Sequence, residues 1–232
     1  MGPTTRIYLV RHGETAWNHA QRIQGHTDIP LNDRGIWQAE RLRLRMSGLH
    51  PDAVYTSDLC RSSKTAKVSM EAWAAASRVR CRRPSIIHHE SLRERDFGKW
   101  EGLTEAEIRT EYPREYTQWT DRTPGFRPPG GESREELFQR ISKFLQYLVE
   151  RHAGETLLLF SHGGAVKTAI SFALGAAPTH SLAVGFANAS LSALSVCQGE
   201  WQVVFLNDTC HLEQEKDKTA KKQSRKEGSG VE

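Results

Sequence analysis

The chain has 232 residues, of which 38% are hydrophobic and 26% are charged, and its formal net charge is +4. This composition is typical of a globular protein of one domain and excludes a fibrous or wholly disordered chain. No apolar run approaches the roughly 20 residues of a membrane span, and the charge is too small to indicate nucleic-acid binding. We therefore expect neither a membrane nor a nucleic acid as a partner.

The four cysteines are far apart in the sequence and form no C-x-x-C pair; they are Cys60, Cys81, Cys197 and Cys210. This spacing is typical of free thiols in a reducing compartment, and it argues against a disulfide framework or a zinc site. The neighbouring His88 and His89 have no third ligand at a suitable spacing. The sequence therefore predicts a cytoplasmic protein without a bound metal.

Strands and helices alternate along the chain. Short apolar runs predict strands at residues 6–10, 53–56, 85–88 and 156–160. Apolar residues spaced by three and four predict helices at 36–49 and 59–73, and capping boxes open predicted helices at 104–112 and 133–148. A further helix is predicted at 165–174. A hairpin is predicted at 190–196 and 200–206. This order predicts an α/β three-layer sandwich with a mainly parallel sheet and an antiparallel addition near its end.

Two segments differ in composition from the rest of the chain. Residues 103–131 are rich in aromatic and turn-forming residues, which predicts a lid-like insertion. Residues 213–232 contain almost nothing apolar and are predicted to be a disordered charged tail. Residues 1–212 are predicted to form a single domain, and the sequence leaves a homodimer open.

Two predicted strands are each followed by a histidine and a glycine. Arg11 and His12 follow the first strand, and His162 and Gly163 follow the strand at 156–160. The carboxyl ends of parallel strands meet at one edge of a sheet, where ligands bind, and glycines let backbone N–H groups approach an anion. The strand at 53–56 brings Arg61 to the same edge. We therefore expect these side chains to converge.

Two arginines and two histidines suit a phosphoryl group. Guanidinium groups neutralise phosphoryl oxygens bidentately, and a neutral imidazole can carry the group covalently. The leaving alcohol then needs a proton, which a carboxyl group can supply. The candidates are Glu94, Asp96 and Glu101, and the residues alone do not decide among them.

Five motifs in order resemble those of the histidine phosphatase superfamily, the clan of cofactor-dependent phosphoglycerate mutase and its phosphatase relatives. They are RHGETAWN, S-D-L-x-R-x-x-x-T-A, L-x-E-x-x-F-G-x-W-E-G, P-G-G-E-S and SHGG, and the resemblance covers residues 6–212. It implies a phosphoglycerate mutase-like fold, a phosphohistidine nucleophile at His12 and a proton donor at Glu94. It also implies a phosphate pocket of Arg11, Arg61 and His162.

The resemblance further implies that Asn18, Gln24 and Gly25 line the substrate side of the pocket, and we add Gly163 to the phosphate-binding residues. The pattern is most similar to the small phosphatases: α-ribazole phosphatase, metal-independent phosphoserine phosphatase and the broad-specificity enzymes. We therefore predict that the protein hydrolyses small phosphomonoesters through a phosphohistidine, with no cofactor and no metal. The alternatives are a 2,3-bisphosphoglycerate-dependent phosphoglycerate mutase, a fructose 2,6-bisphosphatase, and a module that binds phosphorylated ligands without turnover.

The same residues also have structural interpretations. His12 and His162 could cap strands, and Arg61 could be a solvated arginine on a helix. Glu94 is one of three neighbouring acids, so its assignment depends mainly on the resemblance. The aromatic residues of 103–131 could pack the insertion or face the substrate.

Overall fold

The computed structural model describes residues 2–71, 84–178 and 182–215. Its strands are β1 (Thr4–Arg11), β2 (Ala53–Thr56), β3 (Ile86–His88), β4 (Thr156–Ser161), β5 (Leu191–Cys197) and β6 (Glu200–Asp208). Its helices are α1 (Ala16–His19), α2 (Asp33–Arg45), α3 (Cys60–Met70), α4 (Glu105–Glu111), α5 (Pro113–Thr120), α6 (Arg134–Arg151) and α7 (Gly163–Ala173). Short 3-10 turns cover Glu90–Leu92, Gly98–Trp100 and Cys210–Glu215.

The described strands form one six-stranded sheet in the order β3-β2-β4-β1-β5-β6. Strands β3, β2, β4 and β1 are mutually parallel, whereas β5 is antiparallel to β1 and β6 is antiparallel to β5. The register pairs Arg11 with Ser161, so β1 and β4 end side by side. The predicted α/β fold, with a mainly parallel sheet and an antiparallel hairpin near its end, is confirmed.

The sheet lies between two layers of helices. On β4, Leu157 and Leu159 belong to the core formed with α6 and α7, and Leu158 and Phe160 belong to the core formed with α2 and α3. All four side chains are fully buried. Successive side chains of a strand point to opposite faces, so an uninterrupted apolar run is what a strand covered on both faces requires.

Two helices were missed by the sequence analysis. Helix α1 is a single turn that begins after Thr15, whose side chain caps the backbone N–H of Asn18. Helix α5 lies inside the predicted insertion and begins at Pro113, which is favoured at the first helical position because its fixed φ suits a helix. Helix α1 is too short for hydrophobic periodicity to reveal it, and α5, unlike α4, has no capping box to mark its start.

The other predicted elements lie within a few residues of the observed ones. The predicted end of the second helix at Trp73 lies outside the described residues, as does Cys81. The turn Cys210–Glu215 extends into the predicted tail 213–232, and the tail from residue 216 onward also lies outside the described residues. In the described part of the chain, no helix is long and apolar enough to cross a membrane.

Candidate active site

The ends of β1 and β4 bring the two histidines together. The backbone N–H of His12 donates to the carbonyl of Ser161 at 2.9 Å, and the His12 and His162 ring centroids are 5.1 Å apart. The loop after β1 also packs closely on α2. A Cβ at Gly13 would lie 2.5 Å from the carbonyl oxygen of Gly35, so neither neighbour has room for a side chain there.

The His12 ring has a defined orientation. Its Nδ1 lies 2.7 Å from the carbonyl oxygen of Gly13, which requires Nδ1 to carry the proton and leaves the lone pair on Nε2. The backbone carbonyl of His12 accepts hydrogen bonds from Ala189 N–H at 3.0 Å and from Asn188 Nδ2 at 3.1 Å. The ring is therefore held with its unprotonated nitrogen available as a nucleophile.

Backbone carbonyls hold both arginines. Arg11 Nη1 donates to the carbonyl of Phe186. The two terminal nitrogens of Arg61, which is fully buried, donate to the carbonyls of Thr27 at 2.9 Å and Gly25 at 2.7 Å. Each guanidinium group has five N–H bonds, so several remain for a ligand.

Four buried polar atoms at this site have no hydrogen-bond partner among the described residues. They are Nε of Arg11, Nε of Arg61, and both ring nitrogens of His162. A buried donor or acceptor without a partner costs about 1–3 kcal/mol, so such a cluster is rare in a protein that binds nothing there. A phosphoryl group has the oxygens that would satisfy the N–H donors.

The same environment keeps both histidines neutral. Burial lowers the pKa of His12 well below its ordinary value of 6.5, and the positive charges of Arg61 and Arg11 lower this pKa further. Burial, followed by Arg61, His12 and Arg11, lowers the pKa of His162 in the same direction. A neutral imidazole is the nucleophilic form, so the electrostatics favour attack on phosphorus.

Of the three candidate acids, Glu94 is the one whose charge acts on both arginines. Its Oε2 accepts the Gly164 backbone N–H at 2.9 Å, at the start of α7, and its Oε1 accepts the N–H of Arg95 at 2.9 Å. Its charge acts on both Arg11 and Arg61, each of whose pKa values burial lowers and Glu94 raises. The structure thus brings together all five residues that were predicted to be catalytic.

The segment of Glu94 is fixed by a salt bridge that the sequence analysis did not single out. Arg140 pairs with Glu132 at 2.7 Å and also donates to the carbonyls of Arg93 at 3.0 Å and Glu94 at 3.2 Å. Glu132 is the acid of the P-G-G-E-S motif. This motif therefore positions the segment that carries the candidate proton donor.

Glu101 has a different role, which the sequence analysis also missed. Its Oε1 accepts backbone N–H groups from His26 at 2.7 Å and Phe97 at 3.1 Å, and its Oε2 accepts both the N–H (2.8 Å) and the hydroxyl of Thr27. The loop held in this way supplies the two carbonyls that bind Arg61. Glu101 therefore positions an arginine. The only signal for this role was its place in the W-E-G motif.

The predicted substrate-side residues contact the loops that hold the predicted catalytic residues. Asn18 Oδ1 accepts from Thr15 N–H and from Asn188 Nδ2, Gln24 Oε1 accepts from the Thr15 hydroxyl, and the Gly25 carbonyl binds Arg61. A Cβ at Gly163 would lie 3.3 Å from Arg11 Nε. These contacts position the loops, and direct binding of substrate by these residues stays a prediction.

The aromatic side chains of the insertion pack on the domain, and one of them also lines a cavity; whether it faces the substrate stays a prediction. Trp119 packs edge-on against the fully buried Trp100, with ring centroids 5.7 Å apart, and Tyr112 and Phe126 pack around the same ring. Trp119 also lines a cavity of about 270 Å³ that reaches Glu94. The insertion therefore both packs on the domain and forms a wall beside the candidate acid.

One group of potential metal ligands occurs elsewhere among the described residues. Atoms of Asp208, Cys210 and His211 lie within 4.8 Å of one another. Asp208 pairs with Arg45 at 2.8 Å, and His211 Nε2 lies 3.1 Å from the carbonyl of Ala189. Two of the three potential ligands thus already have protein partners.

Comparison with known proteins agrees with this geometry. The model of the histidine phosphatase superfamily, branch 1, matches residues 7–209. "Phosphoglycerate mutase-like protein 4" of Arabidopsis thaliana is 33% identical over 90% of this chain and 87% of its own. "Phosphoserine phosphatase 1" of Hydrogenobacter thermophilus is 30% identical over 89% of this chain and 94% of its own.

The fold is also similar to that of a solved structure. The YhfR protein of Bacillus stearothermophilus superimposes with a TM-score of 0.80 at 32% identity, covering 90% of this chain and 100% of that one. The chain covers nearly the full length of each of these relatives.

Proposed function

Since the chain belongs to the histidine phosphatase superfamily and is a phosphoric monoester hydrolase, we propose that it hydrolyses small-molecule phosphomonoesters through a phosphohistidine on His12. No metal ion takes part in the proposed reaction. The observation that carries the proposal is the cluster of buried N–H groups around His12 whose hydrogen bonds are unmet. It is a cationic pocket of the right composition for a phosphoryl group.

In the first step, the lone pair on Nε2 of His12 attacks phosphorus and the bond to the alcohol oxygen breaks. Arg11, Arg61 and His162 bind the three equatorial oxygens, whose charge is spread in the transition state. Glu94 transfers a proton to the departing alcohol. In the second step, Glu94 takes a proton from water as the water attacks the phosphohistidine, which releases inorganic phosphate and restores His12.

The first test concerns the nucleophile. The wild-type chain should release p-nitrophenol from p-nitrophenyl phosphate, and a short quench should trap an acid-labile phosphoenzyme. His12→Ala should abolish both signals. Unchanged turnover in His12→Ala would disprove the covalent mechanism, and a wild-type chain that binds phosphate without turnover would be a binding module.

The second test concerns the proton donor. An alkyl oxygen leaves only with a proton, whereas p-nitrophenolate leaves well without one. Glu94→Gln should therefore slow phosphorylation of His12 by an alkyl phosphate by about 10²–10⁴-fold, and phosphorylation by p-nitrophenyl phosphate far less. Rapid-quench measurement of the first step is needed because dephosphorylation could limit turnover.

A matched control for Glu94→Gln is Glu90→Gln, an exposed acid on the same segment. It should show the wild-type rate with both substrates. Equal deficits of Glu94→Gln on the two esters would mean that this carboxyl group only orients the pocket. A leaving-group dependence in Asp96→Asn instead would move the assignment to that residue.

A second candidate function is phosphoglycerate mutase, which the name of the Arabidopsis relative suggests. A mutase must retain a bisphosphorylated intermediate while water is excluded from the phosphohistidine. Incubation with 3-phosphoglycerate and a trace of 2,3-bisphosphoglycerate separates the two reactions. Formation of 2-phosphoglycerate without release of phosphate would favour the mutase.

A further inference from the structure

The cavity beside Glu94 is lined by both apolar and cationic side chains. It begins at Glu94 and Gly164 and extends between α6 and α7. Trp119, Leu137 and Phe138 make part of its wall apolar. Its volume of about 270 Å³ suits a small organic group and is too small for a macromolecular ligand.

Two cationic side chains, Lys167 and Arg134, line the cavity, where the charge of Glu94 acts on Lys167 and the charge of Glu135 acts on Arg134. Neither Lys167 nor Arg134 forms a salt bridge with a carboxylate in the described part of the chain. Arg134 donates to the carbonyl of Trp119 at 3.3 Å, while its Nη1 is buried without a partner. Burial, followed by the charges of Arg122 and Arg134, lowers the pKa of Lys167. Positive charge is therefore concentrated in this cavity.

Arg95, the third cationic residue that lines the cavity, differs from the other two in its backbone hydrogen bonds. Arg95 donates to the carbonyls of Glu132 at 2.7 Å and Phe126 at 3.3 Å, so its guanidinium group already holds two backbone segments. Arg134 holds one backbone carbonyl, at 3.3 Å, and keeps a buried Nη1 without a partner, so we place the second anion at Arg134 and Lys167. Lys167 is on the same face of α7 as Gly164, whose N–H holds the Glu94 carboxylate.

We propose that this cavity receives the alcohol part of the substrate, and that Lys167 and Arg134 bind a second anionic group on it, a carboxylate or a phosphate. The proposal rests on the proposed phosphatase reaction, because the alcohol oxygen must lie at Glu94 to take a proton from it. The carbon chain then runs along the apolar wall toward the two cations. An anion there would neutralise charges that are otherwise partly buried and unpaired.

The test compares substrates that differ in one charged group. One pair is 3-phosphoglycerate and glycerol 3-phosphate, and the other is propane-1,3-diol bisphosphate and propyl phosphate. In one pair or both, the wild-type chain should release phosphate with a kcat/KM at least about tenfold higher from the substrate that carries the second anionic group. The first pair reports on a carboxylate and the second on a phosphate.

Variants then locate the preference. Most of the preference for the second anionic group should be lost in Lys167→Gln and in Arg134→Gln. Both variants should hydrolyse propyl phosphate and p-nitrophenyl phosphate at rates within about twofold of wild type. Lys167→Glu should reverse the preference, so that phosphoethanolamine becomes better than phosphoserine, a result that misfolding cannot imitate. The control Lys143→Gln, an exposed lysine on α6, should behave as wild type.

The outcomes separate the two proposals. If the wild-type chain shows no preference in either substrate pair, or if both glutamine variants keep the preference, the role of the cavity is overturned and the phosphatase reaction stands. If the wild-type chain hydrolyses none of the esters, including p-nitrophenyl phosphate, the phosphatase reaction fails and the cavity proposal fails with it.

Discussion

Glu101→Gln tests whether the loop at residues 25–27 positions Arg61. The carboxylate accepts four hydrogen bonds, three of them from backbone N–H groups. A glutamine has one acceptor oxygen, so in either orientation its amide nitrogen faces at least one backbone N–H. We expect a loss of about 2–4 kcal/mol in the free energy of unfolding, from an unmet N–H and the loss of charge-assisted bonds.

For a chain of this size, that loss corresponds to a decrease in Tm of about 4–16 °C. It should be measured by thermal unfolding beside Glu111→Gln, an exposed acid on α4 that should change the free energy by less than about 0.5 kcal/mol. Inhibition by inorganic phosphate should also weaken in Glu101→Gln, because the carbonyls that hold Arg61 belong to the released loop. Wild-type values of both Tm and phosphate inhibition in Glu101→Gln would refute this reasoning.

Four further predictions concern the same site. Gly164→Ala adds a Cβ that overlaps Glu94 Oε1, so alkyl phosphate hydrolysis should fall by tenfold or more while thermal unfolding shows undiminished stability, since alanine favours a helix. Arg11→Lys should lower kcat by about tenfold or more with p-nitrophenyl phosphate, because an ammonium group cannot bind two phosphoryl oxygens in a planar fork; a near-normal kcat would make Arg11 peripheral. The free energy of unfolding should fall as the pH drops below 6.5, because the histidines bind protons in the unfolded chain, whereas burial lowers the pKa of His12 and His162 in the folded chain. His162→Gln should make this decline shallower by up to about 1.4 kcal/mol per pH unit. Activity should survive exhaustive EDTA treatment, and loss with rescue by Mg²⁺ or Mn²⁺ would contradict the metal-free mechanism.

The layers of the fold and the sheet edge at which the two histidines meet both follow from local sequence pattern. The apolar run 157–160 has no polar interruption, which is typical of a strand covered on both faces, and His12 and His162 each follow a predicted strand. Parallel strands end at the same edge, so the meeting of these histidines follows from local pattern and connectivity. The five motifs identified the family.

The three neighbouring acids are distinguished by the family resemblance, which favours Glu94, and by their tertiary contacts. Glu94, Asp96 and Glu101 are equivalent to any local rule, because they lie in one irregular segment without periodicity. Partners that are distant in the sequence distinguish two of them. The backbone N–H of Gly164, at the start of α7, donates to Glu94, and the backbone N–H of Thr27 donates to Glu101.

The cavity likewise depends on contacts that are far apart in the sequence. Lys167 and Arg134 are 33 positions apart on different helices, and each resembles an ordinary surface cation when read alone. Their convergence beside Glu94 comes from the packing of α6 against α7 over one face of the sheet. The proposed specificity depends on side chains from several elements that must meet, and no local periodicity encodes such a meeting.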